Sequence, residues 1–324
     1  MIIADEVHNL GADKLSNSLN QDIKIRMGLS ATPHRHFDDE GTQALFDYFG
    51  DPVYEYSLRD AIRDKHLTRY YYYPILVDLT EEETDEYWEI TQQLSRYYSR
   101  GEKGDLPEFM KTLLIRRSRL LSGARNKMDS LRQAIESLGE HNLTFEKALV
   151  YCGDGKVIEE ESNEHLRNIE EVTELLYKMN FRVKKITFEE NRTERDSAVN
   201  ALKTGEVHSL VAIRCMDEGI DIPDARLGFI MASSTNPRQF IQRRGRLLRK
   251  ATGKKFAHIF DFIVNPPDLS PYSTDNFTFK KVERNLFKRE LDRINEFCQD
   301  AENGPVALAN LRELRDRYDL LGYE

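Results

Sequence analysis

Ala148-Leu149-Val150-Tyr151-Cys152 is a short apolar run with no polar interruption, and its reading decides the fold. A run of this length without alternation suits a strand buried on both faces of a sheet. Four further strand candidates follow it, at residues 183–188, 210–215, 227–232 and 256–262. Helical patterns lie between them at residues 166–179, 192–204 and 237–248. Strands alternating with helices predict a parallel sheet with crossover helices.

The chain on either side reads differently. Residues 2–4 form a short apolar strand that runs into the acids Asp5 and Glu6. Residues 23–29 read as another strand, ended by Ser30-Ala31-Thr32-Pro33, and residues 41–49 are helical. The 80–100 pattern is a helix with an acidic start, where Thr80 and Glu83 resemble a capping box. Residues 108–138 read as one or two basic helices, and residues 277–318 as helices of mixed charge. Four units follow: part of one α/β lobe at 1–58, a helical linker or insertion at 59–140, a complete second lobe at 141–265 and a helical tail at 266–324.

The 324 residues are 40% hydrophobic, a level that suits packed cores rather than disorder. No apolar run is long enough to span a bilayer, and the N-terminus lacks the basic start of a signal peptide. Cys152, Cys215 and Cys298 have no metal-ligand spacing, so a reduced, cytoplasmic protein with no membrane partner is expected. The net charge of −9 argues against general polyanion binding, yet residues 238–255 hold eight basic residues and no acid. Residues 78–89 hold seven acids and no base. Local patches, not the total, decide phosphate contact.

Four short runs carry candidate chemistry. Asp5-Glu6-Val7-His8 sits at a strand end, where two acids suit Mg²⁺ and an attacking water, although an acidic surface turn reads the same way. Ser30 and Thr32 place hydroxyls at the next strand end, able to bond those acids or simply to close a loop. In Cys215-Met216-Asp217-Glu218-Gly219-Ile220-Asp221-Ile222-Pro223, Gly219 permits close backbone approach and Asp221 is able to accept from a ribose hydroxyl. In Gln239-Phe240-Ile241-Gln242-Arg243-Arg244-Gly245-Arg246-Leu247-Leu248-Arg249, helical spacing puts Gln242, Arg246 and Arg249 on one face. A glutamine and two guanidiniums on one face suit a triphosphate; a plain basic face is the alternative.

Taken in order, these runs resemble motifs II, III, V and VI of superfamily-2 helicases, and residues 148–152 resemble motif IV. The wording is most similar to the DEAD/DEAH-box group that includes bacterial restriction- and repair-type DNA translocases. The resemblance implies two RecA-like lobes, use of ATP and Mg²⁺, and a nucleic-acid partner, DNA being expected. It makes Asp5 and Glu6 the metal- and water-handling pair, and Gln242, Arg246 and Arg249 the groups at the γ-phosphate. It makes His8, Ser30 and Thr32 couple nucleotide state to nucleic acid, while Gly219 and Asp221 approach the nucleotide. Arg35 reads as a loop residue near the nucleic-acid path. Arg243 and Arg244 either touch a phosphate or pair with an acid.

The same family uses a G-x-x-x-x-G-K-[ST] loop to cradle phosphate. Neither Gly-Lys pair fits that pattern, because Val150 and Leu248 stand where the first glycine belongs. The expectation is that these residues alone neither bind ATP tightly nor hydrolyse it. Three readings follow: a motor whose front part lies elsewhere, a non-enzymatic nucleic-acid-binding module, or a subunit that completes its site with another chain of a restriction, repair or defence complex. The tyrosines at 70–73 read as a packed strand or as a base-stacking surface, and Arg116, Arg117, Arg119, Arg125 and Lys127 as a phosphate track or a solvated face.

Overall fold

The computed structural model describes residues 1–11, 19–34, 38–99, 107–152, 159–187, 189–212, 222–232, 237–267 and 276–320. The protein is α/β. Two parallel sheets carry it, one of two strands and one of six.

The small sheet pairs β1 (Ile2–Ala4) with β2 (Arg26–Gly28) in parallel. Helix α1 (Asp39–Phe49) packs on it, placing Leu45 against Ala4 and Val7. Asp38 caps α1 by accepting from the Gly41 amide at 2.7 Å. The other face stays open, with Ile3, Met27 and Leu29 exposed. A strap without regular secondary structure at residues 51–56 then leads to α2 (Leu58–Arg63).

The large sheet contains β3 (Arg69–Asp78), β4 (Ala148–Tyr151), β5 (Val183–Ile186), β6 (Ser209–Ala212), β7 (Leu227–Ile230) and β8 (Phe256–Asn265), in the order β3-β8-β7-β4-β6-β5. Its pairings are all parallel. Alternation along β4 sends Leu149 and Tyr151 to one face and Ala148 and Val150 to the other. Helices α5 (Asn126–Glu136) and α6 (Glu159–Lys178) cover the second of these faces. The first face is covered by α7 (Arg192–Thr204), α8 (Pro237–Leu247) and α9 (Asn276–Gln299). The strands and helices expected from residue 148 onward therefore form, with ends shifted by a few residues.

Two unit boundaries need correction. The 59–140 segment is not purely helical, because β3 lies in it and pairs with β8 over ten residues. Pro74 is tolerated there because β3 is an edge strand, where one row of backbone donors has no neighbour. Tyr70 and Tyr72 are fully buried, so the tyrosine run is a packed strand. The tail is likewise part of the second lobe. Arg293 of α9 forms an ion pair with Asp261 of β8, and Tyr72 donates to the same carboxylate at 2.8 Å. All three are buried, so the cluster ties tail, β8 and β3 together.

Helices α3 (Glu81–Ser99) and α4 (Glu108–Ser122) pair beside this lobe. The Thr80–Glu83 capping box forms, with the Thr80 amide donating to Glu83 at 3.0 Å and the Glu83 amide to Thr80 at 3.3 Å. No helix among the described residues is long and apolar enough to cross a membrane.

Candidate functional site between the lobes

One cleft of about 1500 Å³ lies between the small sheet and the large one. Glu6 and Ser30 line it from the first lobe, Arg246 and Arg249 from the second, and the 51–56 strap closes one side. Runs separated by more than 200 positions thus meet around one space.

On the first lobe, β1 ends at Ala4 and the chain turns sharply. Glu6 adopts φ +49°, a left-handed conformation uncommon for a residue with a side chain. Its amide donates to the Asp5 carboxylate at 2.9 Å. His8, only 4% exposed, lies on the short 3₁₀ turn Val7–Gly11. Its Nδ1 is 2.8 Å from the Ser30 hydroxyl and 3.4 Å from the Glu6 carboxylate. The Thr32 amide donates to the Ser30 hydroxyl at 3.1 Å. The sequence-predicted residues Glu6, His8, Ser30 and Thr32 therefore form one connected chain. Asp5 is exposed beside them.

On the second lobe, α8 ends at Leu247. Arg249 therefore lies just past the helix, in a bridge with Leu67, rather than on a continuous helical face. A last turn still brings it beside Arg246, since the Arg249 amide donates to the Arg246 carbonyl at 3.3 Å. The backbone of Gln242 falls within α8, while its side chain is not among those described. Arg35, Gly219 and Asp221 lie outside the described residues.

Arg243 and Arg244 are placed inside the protein, which corrects their assignment to nucleic acid. Arg243 is 1% exposed, lies over the Tyr151 ring at 5.5 Å and donates to the Ala232 carbonyl at 3.4 Å. Arg244 is 2% exposed and bonds Glu296 of α9 twice, at 2.6 Å through its carbonyl and 2.7 Å through its carboxylate. Burying a guanidinium costs more than packing alone returns, so each needs such partners. The acid alternative holds for Arg244.

Sequence reasoning missed Lys254. Its Nζ donates to the carbonyls of Pro223, Leu247 and Arg249 at 3.2, 2.6 and 2.9 Å. One ammonium so ties the end of the 215–223 run to the arginine-bearing turn. Burial lowers its pKa to about 7, opposed by the charge of Asp224. A lysine in a turn before a strand is an ordinary sight in a sequence; only its burial marks it. Gly228 of β7 was equally silent. A Cβ there would meet Leu247 at 2.3 Å, so glycine lets α8 lie close on the sheet.

Arg116, Arg117, Arg125 and Lys127 of the candidate phosphate track have partners within the protein. Arg116 pairs with Glu86 at 2.7 Å and Arg125 with Glu82 at 2.7 Å, while Arg117 donates to the Tyr87 hydroxyl at 3.0 Å. Lys127 is buried and donates to the Met231 carbonyl at 2.6 Å. The acidic and basic runs of the sequence thus face each other.

Asp5 and Glu6 fit Mg²⁺, a hard ion that takes one or two carboxylates and completes its shell from water and phosphate. No cluster of three or more metal-binding side chains occurs among the described residues, in keeping with so open a site.

Glu6 and Ser30 on one wall thus face Arg246 and Arg249 on the other, and the chain is similar in sequence to the C-terminal portion of superfamily-2 helicases. Residues 126–251 match the helicase conserved C-terminal domain. The chain is 28% identical over 255 residues to DNA 3'-5' translocase XPB2 of Sulfurisphaera tokodaii, covering 77% of this chain and 56% of that protein. It is 26% identical over 212 residues to UvrABC system protein B of Hydrogenovibrio crunogenus, covering 62% and 30%. It is 26% identical over 281 residues to the type I restriction enzyme EcoAI endonuclease subunit of Escherichia coli, covering 81% and 31%. The chain thus spans between about a third and just over half of these relatives.

Proposed function

We propose that this chain is the rear part of an ATP-driven motor that moves along nucleic acid, DNA being the expected polymer. The observation that carries the reading is the shared cleft, with Glu6 and Ser30 on one wall and Arg246 and Arg249 on the other. The DNA wording of the translocase relative's name supports the choice of polymer.

MgATP, when bound, supplies the transferable phosphoryl group and a divalent charge. Asp5 is the residue proposed to hold the ion, through water. Glu6 accepts the proton of the attacking water. Arg246 and Arg249, with Gln242, set positive charge and a hydrogen-bond donor where negative charge develops. Gly219 and Asp221 are proposed to approach the nucleotide from the same lobe. The His8–Ser30 and His8–Glu6 contacts link Glu6 to the second strand end, and Arg35 is the proposed phosphate contact. Contacts of that kind are tolerant of sequence and sensitive to salt.

The 324 residues contain no G-x-x-x-x-G-K-[ST] loop. The proposal therefore needs a phosphate cradle from a further polypeptide segment. The test is ATP hydrolysis by this chain, alone and mixed with a polypeptide bearing that loop, with and without DNA. Turnover is expected only in the mixture, stimulated by DNA, and lowered about a thousandfold or more by Arg246→Ala. Turnover by the chain alone that Arg246→Ala abolishes would overturn the need for a second segment. A mixture indifferent to Arg246→Ala would remove the arginine from the mechanism.

A further inference from the structure

The strap between the lobes carries three apolar side chains in the open. Val53 is 99% exposed, Tyr54 78% and Tyr56 44%. Scattered exposed apolar residues are ordinary, but three within four positions on the wall of a charged cleft are not. All three line the same cleft as Glu6, Arg246 and Arg249.

The two tyrosines are arranged alike. They stand two residues apart on the strap. The rings lie 6.5 Å apart and within 14° of parallel. Tyr56 is held, since its hydroxyl donates to Asp64 at 3.1 Å and its ring meets His66 edge-on at 6.3 Å. Tyr54 is 78% exposed. His66 is followed by Leu67, whose backbone bridges to Arg249. The chain from fixed ring to arginine is thus two contacts long. A flat aromatic surface beside guanidiniums offers a nucleotide two complementary grips, one for its base and one for its phosphates.

We propose that Tyr54 and Tyr56 form the base-binding part of the interlobe cleft, stacking on the purine of a nucleoside triphosphate whose phosphates face Arg246 and Arg249. This rests on the cleft being a nucleotide site, as argued above. The base then bears on the strap that joins the lobes, and the phosphates on the second lobe. Recognition by stacking makes little demand on the identity of the purine, so adenine and guanine nucleotides bind with similar strength.

The test is weak-binding titration of the 324-residue chain, followed by NMR, with ATP, adenosine, tripolyphosphate and oligothymidylate. The parent is expected to bind ATP about tenfold or more tightly than tripolyphosphate. Tyr54→Ala with Tyr56→Ala erases that difference and lowers adenosine binding, leaving tripolyphosphate unchanged. The double Phe variant retains the parent's behaviour, because the rings and not the hydroxyls stack. Equal ATP affinity in parent and double Ala variant would overturn the proposal, as would ATP binding no tighter than tripolyphosphate. A loss confined to oligothymidylate would overturn it too, assigning the rings to a polymer. Tripolyphosphate binding that Arg246→Ala does not weaken is a separate failure, that of the phosphate reading. The adenosine arm distinguishes the two, since it involves the tyrosines alone.

Discussion

Lys254 holds three carbonyls with a charge that burial makes costly. Its removal leaves those acceptors without a donor in a place water reaches poorly. Lys254→Met is expected to lower stability by ~1–3 kcal/mol in urea titration, more than loss of an ordinary surface lysine. A change within ±0.5 kcal/mol would show that the ammonium contributes nothing net. The same logic separates four of the five arginines of the 238–249 run. Nothing in the letters distinguishes Arg243 and Arg244 from Arg246 and Arg249. Their surroundings do: Arg243 turns into the core against Tyr151, Arg244 is buried against Glu296 in the cleft wall, and Arg246 and Arg249 line the cleft.

Among the elements, α8 depends on how closely it approaches β7. Gly228 has no side chain, and the fully buried Leu247 fills the space a Cβ would take. Gly228→Ala is expected to cost ~1–3 kcal/mol through overpacking, read from the midpoint of denaturant unfolding. In a Leu247→Ala background the same change is expected to cost less, because the clashing methyls are gone. Additive costs in that cycle would show that the contact does not set the helix position. Helices α3 and α4 make a different point. Their acidic and basic stretches read in sequence as two separate patches, and the fold pairs Glu86 with Arg116 and Glu82 with Arg125. Strand β3 is one of two readings of residues 70–73, open in the sequence because a run of four aromatics shows no alternation by polarity. The period of two appears only as burial, with Tyr70 and Tyr72 inside.

Across the molecule, the 59–140 segment and the tail are joined by a buried carboxylate. Glu283 of α9 is 5% exposed and accepts from Tyr87 of α3 at 3.0 Å and from Tyr318 at 3.4 Å. Burial raises its pKa to about 7, against the opposing bonds and the Arg117 charge. Below its usual value of 4.5 the folded and unfolded chains both hold the proton. Between 4.5 and about 7 only the folded chain holds it, so this group's contribution falls as pH rises through that window. Above about 7 both states are ionised and the loss is complete. Urea titrations at steps across the window are expected to show a loss of ~1–3 kcal/mol from this group, absent in Glu283→Gln. A pH slope unchanged by Glu283→Gln would refute the assignment.

The sequence by itself determined the second lobe and the order of its runs. Strands 148–151, 209–212 and 227–230 are buried on both faces, so their apolar character is unbroken and legible. It also supplied candidate site residues, because acids, hydroxyls and guanidiniums at element ends are visible as letters. Lys254, Gly228, Tyr54 and Tyr56 were not legible as site residues. Each matters through what lies opposite it, and those partners are distant in the chain. Only the tertiary structure decided which arginines face the cleft, that β3 and the tail complete the second lobe, and that the strap's tyrosines stand in the cleft. The physical reason is common to all: burial and charge pairing belong to pairs of surfaces, and a sequence shows one surface at a time.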